Sequence, residues 1–288
     1  MRHEEEYAMA ADGDHKITVE LDGVPETQLW TLYHRAVEAR RPGGVLHDPR
    51  AVELVDSIDY PYESRFGPGT QGFGLLQALR VRAFDIEVKR FLAAHPDGTV
   101  VALGEGLETQ FWRVDNGRVH WLTVDLPESA AVRRTLLPAE DDRRRVLARS
   151  ALDTTWTAEV DTAHGVLITA QGLLMYLRPE EVHDLLATCA ARFPDGGLVF
   201  DAVPRWLAAA SRRGVTDPAT GYQAPPWHWS MDPADRPKLR DVHANIRVVR
   251  DVHLPRGRGP LGAAAPWLTR VPVLNGFLPS ITYLGFGT

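Results

Sequence analysis

A single cysteine, Cys189, leaves no partner for an internal disulfide, so nothing here depends on an oxidising compartment. No apolar run is long enough to span a bilayer. The opening "MRHEEEYAMAADGDH" is acidic and lacks the apolar core of a signal peptide. Positive charge is not concentrated either. The formal charge is −6, and the groups Arg143–Arg145 and Arg212–Arg213 are short enough to be solvated helix or loop ends. That disfavours a general nucleic-acid binder, which carries a dense basic patch. The histidines are scattered and one cysteine cannot anchor a zinc cluster, so no metal site is visible. There is no Walker loop and no G-x-S-x-G nucleophile elbow. These absences predict a soluble, cytoplasmic protein that binds neither nucleic acid nor membrane. Oligomeric state is not legible.

Present instead is a change of rhythm along 288 residues. The early part is helical. "TQLWTLYHRAVEARR" places Leu29, Leu32, Tyr33, Ala36 and Val37 at helical spacing, and "PGG" stops it. "DPRAVELVDSI" predicts a second helix, with Asp48 as N-cap and Pro49 in its first turn. "LLQALRVRAFDIEVKRFLAA" predicts a third, with Leu75, Leu76, Leu79, Ala83, Ile86 and Phe91 on its buried side. Arg80 and Arg82 lie off that stripe.

From Thr99 strands and helices alternate. "TVVALG", "RVHWLTVD", the weaker "RRRVLARSALD", "HGVLITAQG" and "GGLVFDAVP" read as strands, with helices such as "PEEVHDLLATCAARF" between them. Cys189 falls on the core face of that helix and reads as packing. The alternation predicts an α/β fold with a Rossmann-like, doubly wound, mostly parallel sheet. Ligands of such sheets sit at the carboxyl ends of the strands, which points to the loops after residues 104, 125, 153, 171 and 201. After Pro204 come a Pro- and Trp-rich insertion and two late strands, "NIRVVRDVHLP" and "SITYLGFG". "PWLTRVPVLNGF" between them reads as short helix or structured loop. The expected organisation is a flexible tail over 1–20 and one domain over 21–288. Within it, 21–95 form a helical cover and 96–288 a core with a lid insertion near 205–245.

Four strand ends carry polar residues. "VVALGEGLETQFWRV" ends its strand in Gly104-Glu105-Gly106, where backbone can approach a nucleotide closely. As G-x-G-x-x-G, its third position is Thr109, so the dinucleotide fingerprint is incomplete. Asp125 closes the second strand 21 residues after Gly104. It can take the hydroxyls of an adenosine ribose, in an NAD enzyme or an S-adenosylmethionine (SAM) enzyme alike, or cap the helix at Pro127. Asp153 can meet an adenine amino group or cap "TTWTAEV". Gln171 and Tyr176 in "TAQGLLMYL" stand where a transferred group would sit.

In order and spacing, "LYHRAVEARRP", "HDPRAVELVDSIDY", "LRVRAFD", "VVALGEGLETQFWRV", "VDLPE", "SALD" and "AQGLLMYL" resemble the leucine carboxyl methyltransferase superfamily. Within it they are closer to the bacterial polyketide-type, tetracenomycin-like O-methyltransferases. The resemblance covers about residues 24–205 well and the remainder loosely. It implies a class I SAM-dependent methyltransferase with a seven-stranded sheet. The implied cofactor is S-adenosyl-L-methionine, with S-adenosyl-L-homocysteine as its product. It also implies Arg80, with Arg82 second, against the methionine carboxylate. Gly104 and Gly106 would face the cofactor, Asp125 with Leu126 the ribose, Leu152 with Asp153 the adenine, and Gln171 would stand where many members carry Glu. The common "G-L-D-T-R" is Gly106-Leu107-Glu108-Thr109-Gln110 here.

The function so implied is methyl transfer to a hydroxyl or carboxylate oxygen of a small molecule, in secondary metabolism. A carboxylate acceptor needs no base; a phenol or alcohol gains from one. The candidates are His228 in "PWHWSMD" and Tyr176, with Trp227 and Trp229 as walls for an apolar substrate. Three other functions compete: esterification of a protein or peptide C-terminus, NAD-linked oxidation, and SAM binding without turnover.

Overall fold

The computed structural model describes residues 16–69, 71–214, 220–268, 270–271 and 278–287, with backbone alone at 71–73. Of the expected tail over 1–20, residues 1–15 fall outside the described residues, as does much of "PWLTRVPVLNGF"; residues 16–20 depart from a loose tail, since Ile17–Thr18 pair with Ile58–Asp59 and Val19 is buried.

The helical part contains β1 (Ile17–Thr18), α1 (Thr27–Ala39), α2 (Pro49–Ser57), β2 (Ile58–Asp59), α3 (Tyr62–Phe66) and α4 (Gln71–Ala94). The core continues with β3 (Thr99–Leu103), α5 (Gln110–Val114), β4 (His120–Asp125), α6 (Pro127–Leu136) and β5 (Arg144–Ala148). Then follow β6 (Val166–Ala170), α7 (Pro179–Arg192), β7 (Gly197–Ala202), α8 (Arg205–Arg212), β8 (Ile246–Val252), α9 (Gly259–Leu268) and β9 (Ser280–Phe286).

β3 to β9 form one sheet of seven strands in the order β5-β4-β3-β6-β7-β9-β8. The first five are mutually parallel; β9 runs antiparallel to both β7 and β8. Chain order reverses between β3 and β6, which opens a crevice at their carboxyl ends. β3 and β6 are buried at every residue, because helices cover both faces. The weaker strand β5 is an edge, which explains its less apolar sequence.

Several local expectations hold for visible reasons. Asp48 caps α2 by accepting from the Ala51 N–H at 3.1 Å. Cys189 is fully buried on α7, and burial pushes its thiol up to about 12, so it packs and does not react. Helix α4 departs from its predicted stripe. Leu75, Leu79 and Ala83 are buried, but Ile86 is 40% exposed, while Ala78, Val81, Phe84, Val88 and Leu92 are inside. The reason is position. α4 is wedged among α1, α5, α9 and β6, so more than one face is covered. The insertion also carries regular structure: α8 and a 3-10 segment over Pro233–Asp241.

Candidate functional site

A cavity of about 490 Å³ opens at the carboxyl ends of the strands; the loops marked after 104, 125, 171 and 201 contribute to its wall, and the segment after β5 does so through Ser150, Ala151 and Leu152, just before the marked position. Its lining combines Arg80, Gly104, Gly106, Asp125, Gln171 and Asp201 with the apolar and aromatic side chains of Trp30, Tyr176, Leu207 and Trp227.

The glycine turn is built to be tight. Gly104 and Gly106 have φ of +59° and +53°. A Cβ at Gly104 would stand 2.9 Å from Leu173 Cδ1, and one at Gly106 2.9 Å from Gln28 Cβ. Glycine is required on both counts. Arg133 of α6 holds the turn from behind. Its Nη1 donates to the carbonyls of Gly106 (2.6 Å) and Glu108 (2.8 Å), and its Nη2 lies 3.1 Å from Glu105 Oε2. Burial raises the Glu105 pKa, and the Arg133 charge opposes that rise.

Asp125 ends β4 with both oxygens turned to backbone. Oδ2 accepts from the Gly106 N–H at 2.6 Å and Oδ1 from the Leu126 N–H at 2.8 Å. Burial raises its pKa, because a desolvated carboxylate is disfavoured. Leu126 and Leu152 stay more than one-third exposed where they line the cavity, so both present apolar surface to whatever binds.

Arg80 reaches the cavity from α4. Its Nη1 donates to Asp201 Oδ2 at 2.6 Å, and Asp201 Oδ1 accepts from the Gly172 N–H at 2.6 Å. Asp201 was not singled out from the sequence. Its signal was an acid inside the apolar strand "GLVFDA", now β7, where it is 2% exposed. Glu108 stands out in the sequence only as a departure from the family pattern, without a role. It joins a buried cluster with Arg35, Asp48 and Arg113, and it accepts from Gln171. Thr109, the residue that spoiled the dinucleotide fingerprint, belongs to the same cluster. Its hydroxyl donates to Asp48 at 2.7 Å and tethers the turn to α2.

Three sequence candidates lie elsewhere. Arg82 does not line the cavity; its Nη1 donates to the Arg256 carbonyl at 3.2 Å, since two residues along a helix point to different sides. Asp153 is exposed and caps the next turn, accepting from the Thr155 N–H at 3.1 Å and hydroxyl at 2.6 Å. His228 is exposed and outside the cavity wall; its backbone N–H donates to the Met175 carbonyl at 2.8 Å. Tyr176 does line the cavity, and burial raises its pKa above the ordinary 10.0. That shift favours the neutral phenol, which can donate a hydrogen bond.

Six buried polar atoms on cavity-lining residues have no hydrogen-bond partner: Gln28 Oε1, Gln77 Oε1, Arg80 Nε, Glu105 Oε1, Gln171 Oε1 and Trp227 Nε1. Leaving a buried polar group unsatisfied costs about 1–3 kcal/mol. Six such atoms on the residues of one cavity fit a site completed by a polar ligand. The close-approach glycines, the acid ending β4 and the arginine beside the β3/β6 crevice fit an adenosyl amino acid.

The strand order and this site define a class I SAM-dependent methyltransferase. Residues 28–190 match the model of the leucine carboxyl methyltransferase family. The chain is 36% identical over 205 residues to the tetracenomycin polyketide synthesis O-methyltransferase TcmP of Streptomyces glaucescens, across 71% of this chain and 75% of that protein. It is 30% identical over 194 residues to the S-adenosyl-L-methionine-dependent methyltransferase dpfgK of Gibberella zeae, across 62% of this chain and 65% of that one. Human N-acetylserotonin methyltransferase in complex with SAM aligns with 91% of this chain and 67% of its own, at 15% identity and a TM-score of 0.44. The chain belongs to the leucine carboxyl methyltransferase family. An NAD-linked oxidoreductase is thereby set aside. Among the described residues no helix is long and apolar enough to cross a membrane.

Proposed function

We propose that this chain methylates an oxygen of a small molecule with a flat, apolar body. The observation that carries this reading is a cavity whose lining joins polar strand-end residues to the aromatic side chains of Trp30, Tyr176 and Trp227.

Toward SAM, the Arg80 guanidinium would hold the methionine carboxylate and Asp125 the ribose hydroxyls. Leu126 and Leu152 would flank the adenine, Gly104 and Gly106 would admit the backbone, and Gln171 would offer its free amide oxygen. When bound, SAM supplies a methyl group on a sulfonium that is already a good leaving group.

The rest of the work is positioning and exclusion of water. Trp30, Tyr176, Leu207 and Trp227 supply the apolar and aromatic part of the lining. Trp227 Nε1 is buried without a partner and neighbours the Tyr176 hydroxyl, so an N–H and an O–H donor stand near one another for an acceptor oxygen. Among the described residues no histidine lines the cavity. This set of groups suits an oxygen that arrives ionised or ionises readily: a carboxylate or an acidic phenol. The relative named for tetracenomycin polyketide synthesis supports trying aromatic polyketide-like acids and phenols first. This reading places the protein in the cytoplasm, the compartment that suits a chain without a disulfide.

Incubation with SAM and a panel of aromatic hydroxy-acids, followed by mass spectrometry, tests it. A methyl ester or methyl ether on a panel member is the expected product. Methylation confined to a peptide with a free C-terminus would overturn the small-molecule reading. SAM binding with no product on any acceptor would leave a binding module instead.

A further inference from the structure

Two departures from the family pattern meet in space. Glu108 stands where the family commonly has Asp, and Gln171 where many members have Glu. Gln171 Nε2 donates to Glu108 Oε2 at 3.0 Å. The other oxygen, Glu108 Oε1, is already occupied by Arg35 Nη1 at 2.8 Å, Arg113 Nη1 at 2.7 Å and the Thr109 N–H at 2.9 Å. Burial works to raise the Glu108 pKa, but the Arg113 and Arg35 charges outweigh it and hold the carboxyl at about 2. An ionised carboxylate only accepts hydrogen bonds. Gln171 must therefore turn its NH₂ toward Glu108. Its oxygen is then committed to the other side, where it is buried and unpartnered in a cavity-lining residue.

The neighbourhood says what that oxygen suits. The next residue, Gly172, donates its N–H to Asp201, and Asp201 also takes Arg80. One carboxylate thus binds residue 172 and the guanidinium side by side. An α-amino acid carries an ammonium and a carboxylate on a single carbon. An acceptor oxygen next to a guanidinium is the pair such a head requires.

We propose that Glu108 is a positioning residue that acts through Gln171, fixing the amide so that its oxygen receives the ammonium of the cofactor's methionine end. This rests on the reading that the cavity takes SAM. The two departures then belong together. A Glu at 171 would set two carboxylates at hydrogen-bond distance, where both resist staying ionised. An Asp at 108 would draw its carboxylate back by one methylene and remove that conflict.

A double-mutant cycle read by titration with S-adenosylhomocysteine tests the coupling. Glu108→Asp should weaken binding about tenfold, the loss of one charge-assisted hydrogen bond's worth of orientation. Gln171→Met should weaken it similarly, and Glu108→Asp added to Gln171→Met should cost almost nothing more. Gln171→Glu should bind poorly at pH 8, recover as pH falls toward 6, and be rescued at pH 8 by Glu108→Asp. Thermal unfolding of each variant shows that it is folded; if Gln171→Glu is not, the Gln171→Met arm decides. Equal losses from Glu108→Asp with Gln171 and with Met at 171 would overturn the proposal, as would pH-independent weakness of Gln171→Glu. Failure of the wild type to bind S-adenosylhomocysteine would instead defeat the SAM reading itself.

Discussion

Tyr176 shows how far a residue's environment limits its chemistry. It lines the cavity, and burial raises its pKa, which favours the neutral phenol and so a hydrogen bond donated to an acceptor oxygen. Tyr176→Phe should therefore lower kcat by no more than about tenfold, the scale of one hydrogen bond. The shape of the pH–rate profile should stay unchanged. Abolition of activity together with loss of the basic limb would make Tyr176 the base after all. At this scale the sequence was uneven. Arg80 stood out because a charge lay off an apolar stripe, and Asp125 because an acid closed a strand. Asp153 was balanced between two roles, and its hydrogen bonds to Thr155 supply the capping one. His228 drew attention through its tryptophan neighbours, yet adjacency in sequence says little about which way a loop residue faces. Asp201 and Glu108 needed partners 121 and 73 residues away, Arg80 and Arg35, to show their purpose.

The element that matters most is the β3–α5 turn. Positive φ at Gly106 and a neighbour 2.9 Å from any added Cβ leave no room for alanine. Gly106→Ala would also strain the N–H that Asp125 accepts. The left-handed conformation alone costs about 1–2 kcal/mol for an L-residue. The variant should melt earlier than wild type and bind SAM about tenfold more weakly or worse. Native melting with unchanged affinity would show that the turn does not shape the site. Elements were the most legible level. Continuous apolar runs became β3 and β6, and i, i+3, i+4 spacing became α1 and α7. The α4 stripe was misread at Ile86, since a helix buried on several faces has no single apolar side to find. The conformation of the insertion depends on packing that no local pattern encodes: Tyr222 stacks edge-on against Phe66 of α3, and the Arg212 side chain donates to the Trp227 carbonyl at 2.8 Å.

For the whole molecule, the helical cover and the sheet are joined by charge as well as by apolar packing. Arg35 of α1, Asp48 at the start of α2 and Arg113 of α5 converge on Glu108 and Thr109, and Asp85 of α4 joins them through Arg113. The cover is thereby tied to the turn that lines the cavity. Breaking such a buried cluster from one side leaves uncompensated charge. The Glu108 pKa is lowered from 4.5 to about 2, burial being outweighed by Arg113 and Arg35. A depressed acid lends stability that is complete above its unfolded pKa and is lost as pH falls through the folded one. Urea unfolding should therefore show stability falling between pH 4.5 and about 2 more steeply in wild type than in Glu108→Gln. Parallel slopes would mean that Glu108 is not held ionised. The fold class was visible in the alternation of strands and helices, and the family in the order of its motifs. The charged cluster was not, because each member alone looks like an ordinary surface or capping residue.

The central claim is that the strand-end cavity binds SAM through Arg80 and Asp125. Isothermal titration of SAM into wild type, Arg80→Met and Asp125→Asn addresses it most directly. The account predicts micromolar binding by wild type and a loss of about tenfold or more in each variant, as expected for hydrogen bonds to charged groups. No binding by wild type at millimolar SAM, or unchanged affinity in both variants, would contradict it.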